Sequence, residues 1–149
     1  MELSQKCLYA LRAIFELAKR DGRGLTAIEH IAAAQDIPPR FLELILGQLR
    51  QGGFVASRRG PHGGYRLLHR PASLTVGSII SFVEGPLAPV ECLADPDDSS
   101  CRLRGRCAFM DMWRRAQQAV ASVYDTTTFQ DLLEAEQAIL QPDVATYCI

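Results

Sequence analysis

The chain has 149 residues, of which 48% are hydrophobic and 22% charged, and its formal net charge is −1. This composition excludes the disordered class and is typical of a globular protein. The charge is unevenly divided: residues 1–70 carry 11 lysines and arginines against 6 acidic residues, and residues 71–149 carry 5 against 11. A basic half followed by an acidic half favours a polyanion-binding module joined to a second part, and chance clustering of surface charge is the alternative.

The sequence predicts a cytoplasmic protein with no membrane partner. It lacks a run of eighteen apolar residues, and its charged, amphipathic first twenty residues have no signal-peptide pattern. In a reducing compartment, an odd number of cysteines, here five, favours metal ligands or redox-sensitive thiols over a disulfide framework.

Three helices are predicted in the first fifty residues. The apolar spacing from Ser4 to Arg20 predicts the first, and "TAIE" matches a capping box of Thr26 and Glu29 that would begin the second. Pro38 or Pro39 suits the first position of the third helix. Its predicted apolar stripe comprises Phe41, Leu42, Ile45, Leu46 and Leu49. The second and third helices resemble a helix-turn-helix, although such pairs also occur in α proteins that do not bind DNA.

A β-hairpin is predicted next. The β-prone segments 54–58 and 65–68 flank "RGPHGG", whose glycines permit the positive φ angles of a tight turn. Basic residues surround the tip, where they can meet DNA phosphates or enter a narrow minor groove: Arg58, Arg59, His62, Arg66 and Arg70. The hairpin therefore reads as the wing of a winged helix, and a solvated hairpin with incidental charge is the alternative.

The remaining sequence predicts three more helices. One begins after Thr75 and ends at Gly85, and a long helix over 108–125 carries an apolar stripe that predicts a homodimer seam or, alternatively, ordinary core. A cap formed by Thr128 and Asp131 predicts a last helix that continues to Pro142, followed by a loosely held tail.

The predicted fold is mainly α with a small β-hairpin wing, in which a winged helix-turn-helix domain is joined to a long C-terminal dimerisation helix. Its predicted divisions are residues 1–85, the cysteine-bearing loop 86–107, and residues 108–149. No Walker loop, nucleophile elbow or metalloprotease histidine pair occurs in the sequence, so an enzyme is not predicted.

Three cysteines lie within sixteen residues of one polar segment. Cys92, Cys101 and Cys107 are spaced so that a loop could fold them around one centre, and thiolates are suitable ligands for zinc and for iron-sulfur clusters. The intervening arginines could offset the negative charge of such a centre: Arg102, Arg104 and Arg106.

Three stretches of the sequence carry a resemblance to a known family: "LSQKCLYALRAIFELA", "IPPRFLELILGQLRQGGFVASRRGPHGGYRL", and "LTVGSIISFVEG" before the cysteines. Through them the sequence resembles the Rrf2 family of bacterial winged-helix transcription regulators. The resemblance implies a homodimer that binds a double-stranded DNA operator. The DNA contacts expected from the resemblance and the basic residues together are Pro39, Arg40, Phe41, Glu43, Arg50, Arg58, Arg59 and His62.

The resemblance also implies an iron-sulfur cluster, either 2Fe-2S or 4Fe-4S, held by the three loop cysteines. Zinc binding or thiol oxidation remains the alternative, because some members of the family have no cluster. The gap of eight residues between Cys92 and Cys101 is wider than in well-known members, and no histidine follows Cys107 closely. The family's acidic ligand position, on the first helix of the partner subunit, is occupied by Leu8. The neighbouring Cys7 is therefore the candidate fourth ligand, reaching a cluster held by the other subunit, and a small buried side chain is the alternative.

Overall fold

The computed structural model describes residues 2–95 and 101–141. Within these residues the chain forms seven α-helices and one two-stranded antiparallel sheet. The helices are α1 (Gln5–Lys19), α2 (Ile28–Gln35), α3 (Pro39–Gln51), α4 (Val76–Glu84), α5 (Glu91–Ala94), α6 (Met110–Thr126) and α7 (Phe129–Leu140), and a 3-10 turn covers Pro71–Ser73. The strands are β1 (Val55–Arg58) and β2 (Gly64–Leu67). The predicted winged helix, mainly α with a hairpin, is confirmed.

The core forms around α1, which contacts α2, α3, α4 and α7. The buried face of α1 is built largely from small side chains, which let the neighbouring helices approach closely. Its members with at most 4% exposure include Ala10, Ala13, Ile14, Leu17 and Ala18. From α3 the buried side chains are Leu42, Ile45, Leu46 and Leu49, as the predicted stripe requires.

Phe41 is the one member of that stripe that is not buried, and its exposure is compatible with its predicted contact with DNA. Its side chain is 59% exposed, and its ring lies 6.5 Å from the ring of Tyr9. Phe41 lies in the first turn of α3, at the edge of the apolar face, so its side chain can extend into solvent. This exposure leaves Phe41 in the set of side chains that can contact a partner.

The predicted capping box of Thr26 and Glu29 is wrong. Ala27 occupies the N-cap of α2 and makes no side-chain capping bond. The backbone of Thr26 instead exchanges two hydrogen bonds of 2.8 Å with Tyr65, as an antiparallel bridge at the side of the hairpin. This pairing buries Thr26 and ties the chain before the helix-turn-helix to the wing.

The hairpin has a simple register. Val55 pairs with Leu67, and the pairing runs out to Arg58 opposite Gly64. Val55 and Leu67 are buried against the core, whereas the tip projects away from it. The wing is therefore held at its base by apolar burial and is free to contact a partner at its tip.

The chain returns to this core after α6. Thr75 and Thr128 cap α4 and α7, and the predicted capping box of Thr128 with Asp131 is confirmed. Thr75 and Thr128 also form a β-bridge, and Phe129 beside it is completely buried in the same core as α1 and α3. The segment assigned to the C-terminal part thus supplies a core side chain to the first part, and the division into 1–85, 86–107 and 108–149 stays a prediction.

The cysteine segment and α6 extend from this body. Cys92 lies in the one-turn helix α5 rather than in a loop. None of the 17 residues of α6 is buried, although α6 contacts α4. The predicted tail, with Cys148, lies outside the described residues. Among the helices of residues 2–95 and 101–141, none has both the length and the apolar character that a membrane span needs.

Candidate nucleic-acid interface and cysteine cleft

The eight side chains predicted to contact DNA lie on exposed parts of α3 and the wing. Five belong to α3 and three to the hairpin and its tip, and all eight are exposed. They are Pro39, Arg40, Phe41, Glu43 and Arg50 on the helix, and Arg58, Arg59 and His62 on the wing. The winged-helix fold therefore presents one helix and one basic hairpin, the two elements that such proteins use in DNA grooves.

A side-chain hydrogen bond joins these two elements. The guanidinium of Arg50, in the last turn of α3, donates to the Ser57 hydroxyl of β1 at 3.1 Å. The bond orients Arg50 and couples the helix end to the strand that leads to the wing tip. The contact of Ser57 with Arg50 was not predicted from the sequence, although Ser57 lies on the predicted wing strand, only seven residues after Arg50.

The wing tip is a tight turn that depends on its glycines. The Gly63 N–H donates to the Gly60 carbonyl at 2.9 Å, and the Arg58 guanidinium donates to the His62 carbonyl at 3.0 Å. A Cβ at Gly63 would lie 2.9 Å from the Arg59 carbonyl carbon, which is closer than normal contact, so glycine is required there. The turn thereby keeps Arg59 and His62 exposed.

Arg66 adds positive charge to the same face of the hairpin. In the antiparallel register, Arg66 lies opposite Ala56, and Gly64 lies opposite Arg58, so the two arginines occupy diagonal positions on one face. Both line an open depression of about 620 Å³ together with His62. Like charges at diagonal positions repel each other, and a bound anion such as a phosphate relieves this repulsion.

The three segment cysteines line one cleft, of about 690 Å³, between α5 and the start of α6. Cys92, Cys101 and Cys107 are each half-buried and carry free thiols. The other polar and sulfur-bearing side chains of the lining are Arg104, Met110, Asp111 and Arg114. Arg114 was missed from the sequence, although its position one helical turn after Met110 places it on the same side of α6.

The donor set of this cleft suits a soft metal centre. Thiolates bind both zinc and iron-sulfur clusters, and a carboxylate is a further ligand type for zinc. Within the described residues, however, no three His, Cys, Asp or Glu side chains are gathered closely enough to hold a metal ion. The cleft thus brings Cys92, Cys101 and Cys107 to one place without drawing their sulfur atoms around one point.

Cys7 is not part of this cleft. It is completely buried between α1 and α4, beside Val76 and Ile80. Burial, together with the charge and hydrogen bond of Glu84, raises the pKa of the Cys7 thiol to about 11. A buried thiol with a raised pKa is a poor ligand, so the structure favours the second alternative for Cys7, that of a small buried side chain.

Ser4 holds the Glu84 carboxylate beside this thiol. The Ser4 backbone N–H donates to Glu84 Oε1 at 3.0 Å, and the Ser4 hydroxyl donates to the same oxygen. These hydrogen bonds lower the pKa of Glu84. The N-terminus of α1 is therefore joined to the C-terminus of α4 around Cys7.

Comparison with known proteins gives consistent matches over most of the chain. A family model described as Rrf2, iron-dependent transcriptional regulator, matches residues 3–135. The chain is 38% identical to the HTH-type transcriptional regulator CymR of Bacillus subtilis over 132 residues, 89% of each chain. It is 35% identical to the regulator NsrR of Geobacillus kaustophilus over 134 residues, 90% of each chain.

Solved structures agree with these matches. The structure of CymR, described as the global cysteine regulator of B. subtilis, has a TM-score of 0.73 at 36% identity, covering 91% of this chain and 98% of that one. The structure of T. potens IscR has a TM-score of 0.73 at 29% identity, covering 91% and 88%. These relatives are regulators of transcription and not enzymes. The family match over 3–135, together with the helix-turn-helix and its wing, shows that this chain belongs to the Rrf2 family of transcriptional regulators.

Proposed function

We propose that the chain acts as a homodimer that binds an operator through α3 and the wing, and that the chemical state of the cysteine cleft controls this binding. The observation that carries the proposal is the shared cleft of Cys92, Cys101 and Cys107, which lies against the first turn of α6. The same chain thus holds a DNA-reading module and a group of accessible thiols in one structure.

The DNA-binding part of the proposal assigns different roles to α3 and the wing. Glu43 can accept a hydrogen bond from a cytosine amino group in the major groove, and Arg40 and Arg50 can contact phosphates. Arg59, at the wing tip, can enter the minor groove, with Arg58 and His62 beside it. Phe41 and Pro39 complete the exposed edge at the start of α3.

The dimer part of the proposal rests on α6. Phe109 at the N-cap of α6, and Met112 and Val123 within it, are 62%, 47% and 61% exposed, and their spacing places them on one face of the helix. An apolar stripe on a long helix is typical of a two-fold interface, and a two-fold dimer would present two recognition helices to a palindromic operator.

The first form of the control is an iron-sulfur cluster, either 2Fe-2S or 4Fe-4S. Cys92, Cys101 and Cys107 would hold it, and Arg104 and Arg114 in the cleft lining would offset negative charge. When bound, such a group supplies a centre sensitive to iron, oxidants or nitric oxide. The description of the matching family as iron-dependent supports this form.

The second form is zinc binding or reversible oxidation of the thiols. It uses the same three thiols, which line the cleft without being gathered around one point in the described residues. The three thiols are half-buried and line an open cleft, so they are accessible to oxidants. A disulfide or a zinc ion would bring sulfur atoms together that now line the cleft separately.

In either form, a change in the cleft acts first on the start of α6. Met110, Asp111 and Arg114 form one wall of the cleft and belong to the first turns of α6. One turn further, the Gln117 side-chain amide donates to the Leu87 carbonyl at 2.7 Å, which connects α6 to the segment after α4. A shift of α6 would therefore alter both the proposed dimer seam and its attachment to the winged domain.

The test combines metal analysis with DNA binding. The full chain is purified in the absence of oxygen. The amounts of iron, acid-labile sulfide and zinc per monomer are then measured. DNA affinity is measured with a duplex that the protein has selected from a random pool. Cys101→Ser is compared with the matched control Cys7→Ser. Iron with sulfide supports the cluster form, whereas zinc, or metal-free protein whose affinity changes with diamide, supports the second form.

Control by the cleft is contradicted by one result. If affinity is the same with and without metal, with and without oxidant, and in Cys101→Ser, the cysteines do not regulate DNA binding. A selected duplex whose affinity falls steeply with salt would still support the operator-binding part, because neutralised phosphates release counterions.

A further inference from the structure

Gly47 is a residue that the fold of this chain does not require to be glycine. It lies in the middle of α3 with a φ outside the left-handed region, and a Cβ built on it meets no atom within 4 Å. Glycine inside a helix is unfavourable relative to alanine, because the unfolded chain has more backbone freedom to lose. Its place in α3 therefore needs an explanation from outside the monomer.

Leu44 is a second unexplained residue on the same helix. Its side chain is 70% exposed, and it belongs to neither of the hydrophobic clusters of the structure. A single exposed leucine needs no explanation, but Leu44 follows Phe41 at a spacing of three residues, and Phe41 is 59% exposed, so the two form an adjoining apolar pair on the exposed face of α3. Arg40 and Glu43 are its polar neighbours on that face.

The helical period places these residues on the face opposite the core. Arg40, Leu44, Gly47 and Gln51 follow each other at spacings of four, three and four residues, away from the buried stripe of α3. The same face lies between the exposed start of α3 and the end where Arg50 bonds the wing. In the proposed DNA complex this face points towards the floor of the major groove.

We propose that Leu44 and Gly47 mark the closest approach of α3 to DNA, where the bare backbone at Gly47 lets the helix sit deep in the major groove and Leu44 packs on a thymine 5-methyl group. The inference rests on the proposed operator binding. A missing side chain permits close approach of the backbone to a ligand, and apolar side chains distinguish thymine by its methyl group. Gly47 is thus a positioning residue, and Leu44 is a specificity-determining one.

The first test uses a substitution with opposite expected effects on folding and binding. Gly47→Ala should raise Tm by about 2–4 °C, because the helix gains propensity and the methyl group meets open space. The same variant should bind the selected duplex about tenfold more weakly, since the added methyl group would overlap with DNA. Ser81→Ala, an exposed position in α4, is the matched control and should leave affinity unchanged.

Each outcome of this test has a meaning. Affinity of Gly47→Ala within twofold of wild type, or a lower Tm, overturns the inference while the proposed function stands. If the wild-type chain selects no duplex from the random pool, the proposed function fails, and this inference fails with it.

The second test removes only the thymine methyl group. Each thymine of the selected duplex is replaced in turn by uracil, and wild-type affinity should fall about fourfold at one position, the effect of losing one buried methyl group. Leu44→Ala should bind more weakly and show no further loss at that position. Wild-type tolerance of every uracil, or undiminished uracil sensitivity in Leu44→Ala, overturns the assignment of Leu44.

Discussion

Gly77 of α4 lies directly against Asp125 of α6, and the two helices meet there without room for a side chain at residue 77. A Cβ at Gly77 would lie 3.0 Å from the Asp125 backbone nitrogen and closer still to its carboxylate. Because the nearest backbone atom cannot swing away as a side chain can, this glycine sets how closely α6 approaches the winged domain.

Gly77→Ala is therefore expected to destabilise the protein. The added methyl group must push α4 and α6 apart, a type of overpacking that costs about 1–3 kcal/mol. Urea unfolding measures the loss, and Gly47→Ala is the matched control, because it adds the same methyl group in open space. Equal stability of Gly77→Ala and wild type would mean that α6 is not held at this distance.

Loss of stability at alkaline pH is expected to depend on Cys7. Its folded-state pKa of about 11 exceeds the ordinary 9.0, so the folded state keeps a proton that the unfolded chain releases. The free energy of unfolding should thus fall as pH rises from 9.0 towards about 11, by about 2–3 kcal/mol from this thiol. The Glu84 carboxylate adds to the effect, and Lys6 opposes it.

Urea unfolding at pH 8 and pH 10.5 checks this expectation. Cys7→Ala removes the titrating group and should show a smaller fall than wild type, whereas Cys101→Ala keeps Cys7 and should fall as wild type does. An equally steep fall in Cys7→Ala would assign the alkaline loss to other groups.

Arg59→Ala is expected to reduce the salt dependence of DNA binding. An arginine in the minor groove lies between the two phosphate backbones and neutralises phosphate charge there. Each neutralised phosphate contributes about 0.9 to the slope of log K against log salt, so the loss of one such arginine per protomer should lower the slope of a dimer by about 2. Fluorescence anisotropy at several salt concentrations measures the slope. Arg115→Ala, an exposed arginine of α6, should keep the wild-type slope. An unchanged slope in Arg59→Ala would place that side chain outside the minor groove.

Val123→Glu is expected to convert the proposed dimer to monomer. The side chain is 61% exposed on the apolar stripe of α6, and a carboxylate in a two-fold seam would face its own copy across the interface. Sedimentation velocity over a range of concentrations measures the change, and affinity for the selected duplex should fall with it. Ser122→Glu places the same charge one residue away, off the stripe, and should remain dimeric. A dimeric Val123→Glu would contradict the assignment of α6 as the seam.

Local signals in the sequence predicted the ends of several elements correctly. Pro39 begins α3, Thr75 caps α4, and Thr128 with Asp131 caps α7. Each of these signals depends on atoms within four residues of chain, so the sequence carries the whole interaction. The glycines of the wing tip could be interpreted for the same reason.

The candidate site was predicted in its residues but not in its arrangement. The sequence identified Cys92, Cys101 and Cys107, and the structure places them around one cleft with Arg114, which comes from a helix face that has no signal of its own. It also named Cys7 as a candidate ligand, whereas packing against Val76 and Ile80 buries that thiol. Burial depends on neighbours distant in the chain, which the spacing of cysteines does not reveal.

The sequence by itself determined the order of the helices and the hairpin, and the basic charge of the first half of the chain. It also determined the exposed character of the DNA-facing side chains and the grouping of three thiols in one segment. These features follow from composition and from short-range sequence patterns. Only the tertiary structure decided that Thr26 pairs with Tyr65 instead of capping α2, that Phe129 completes the core of the winged domain, and that Gly77 touches Asp125. Each of these contacts joins residues far apart in the chain, and their formation depends on how whole elements pack against one another.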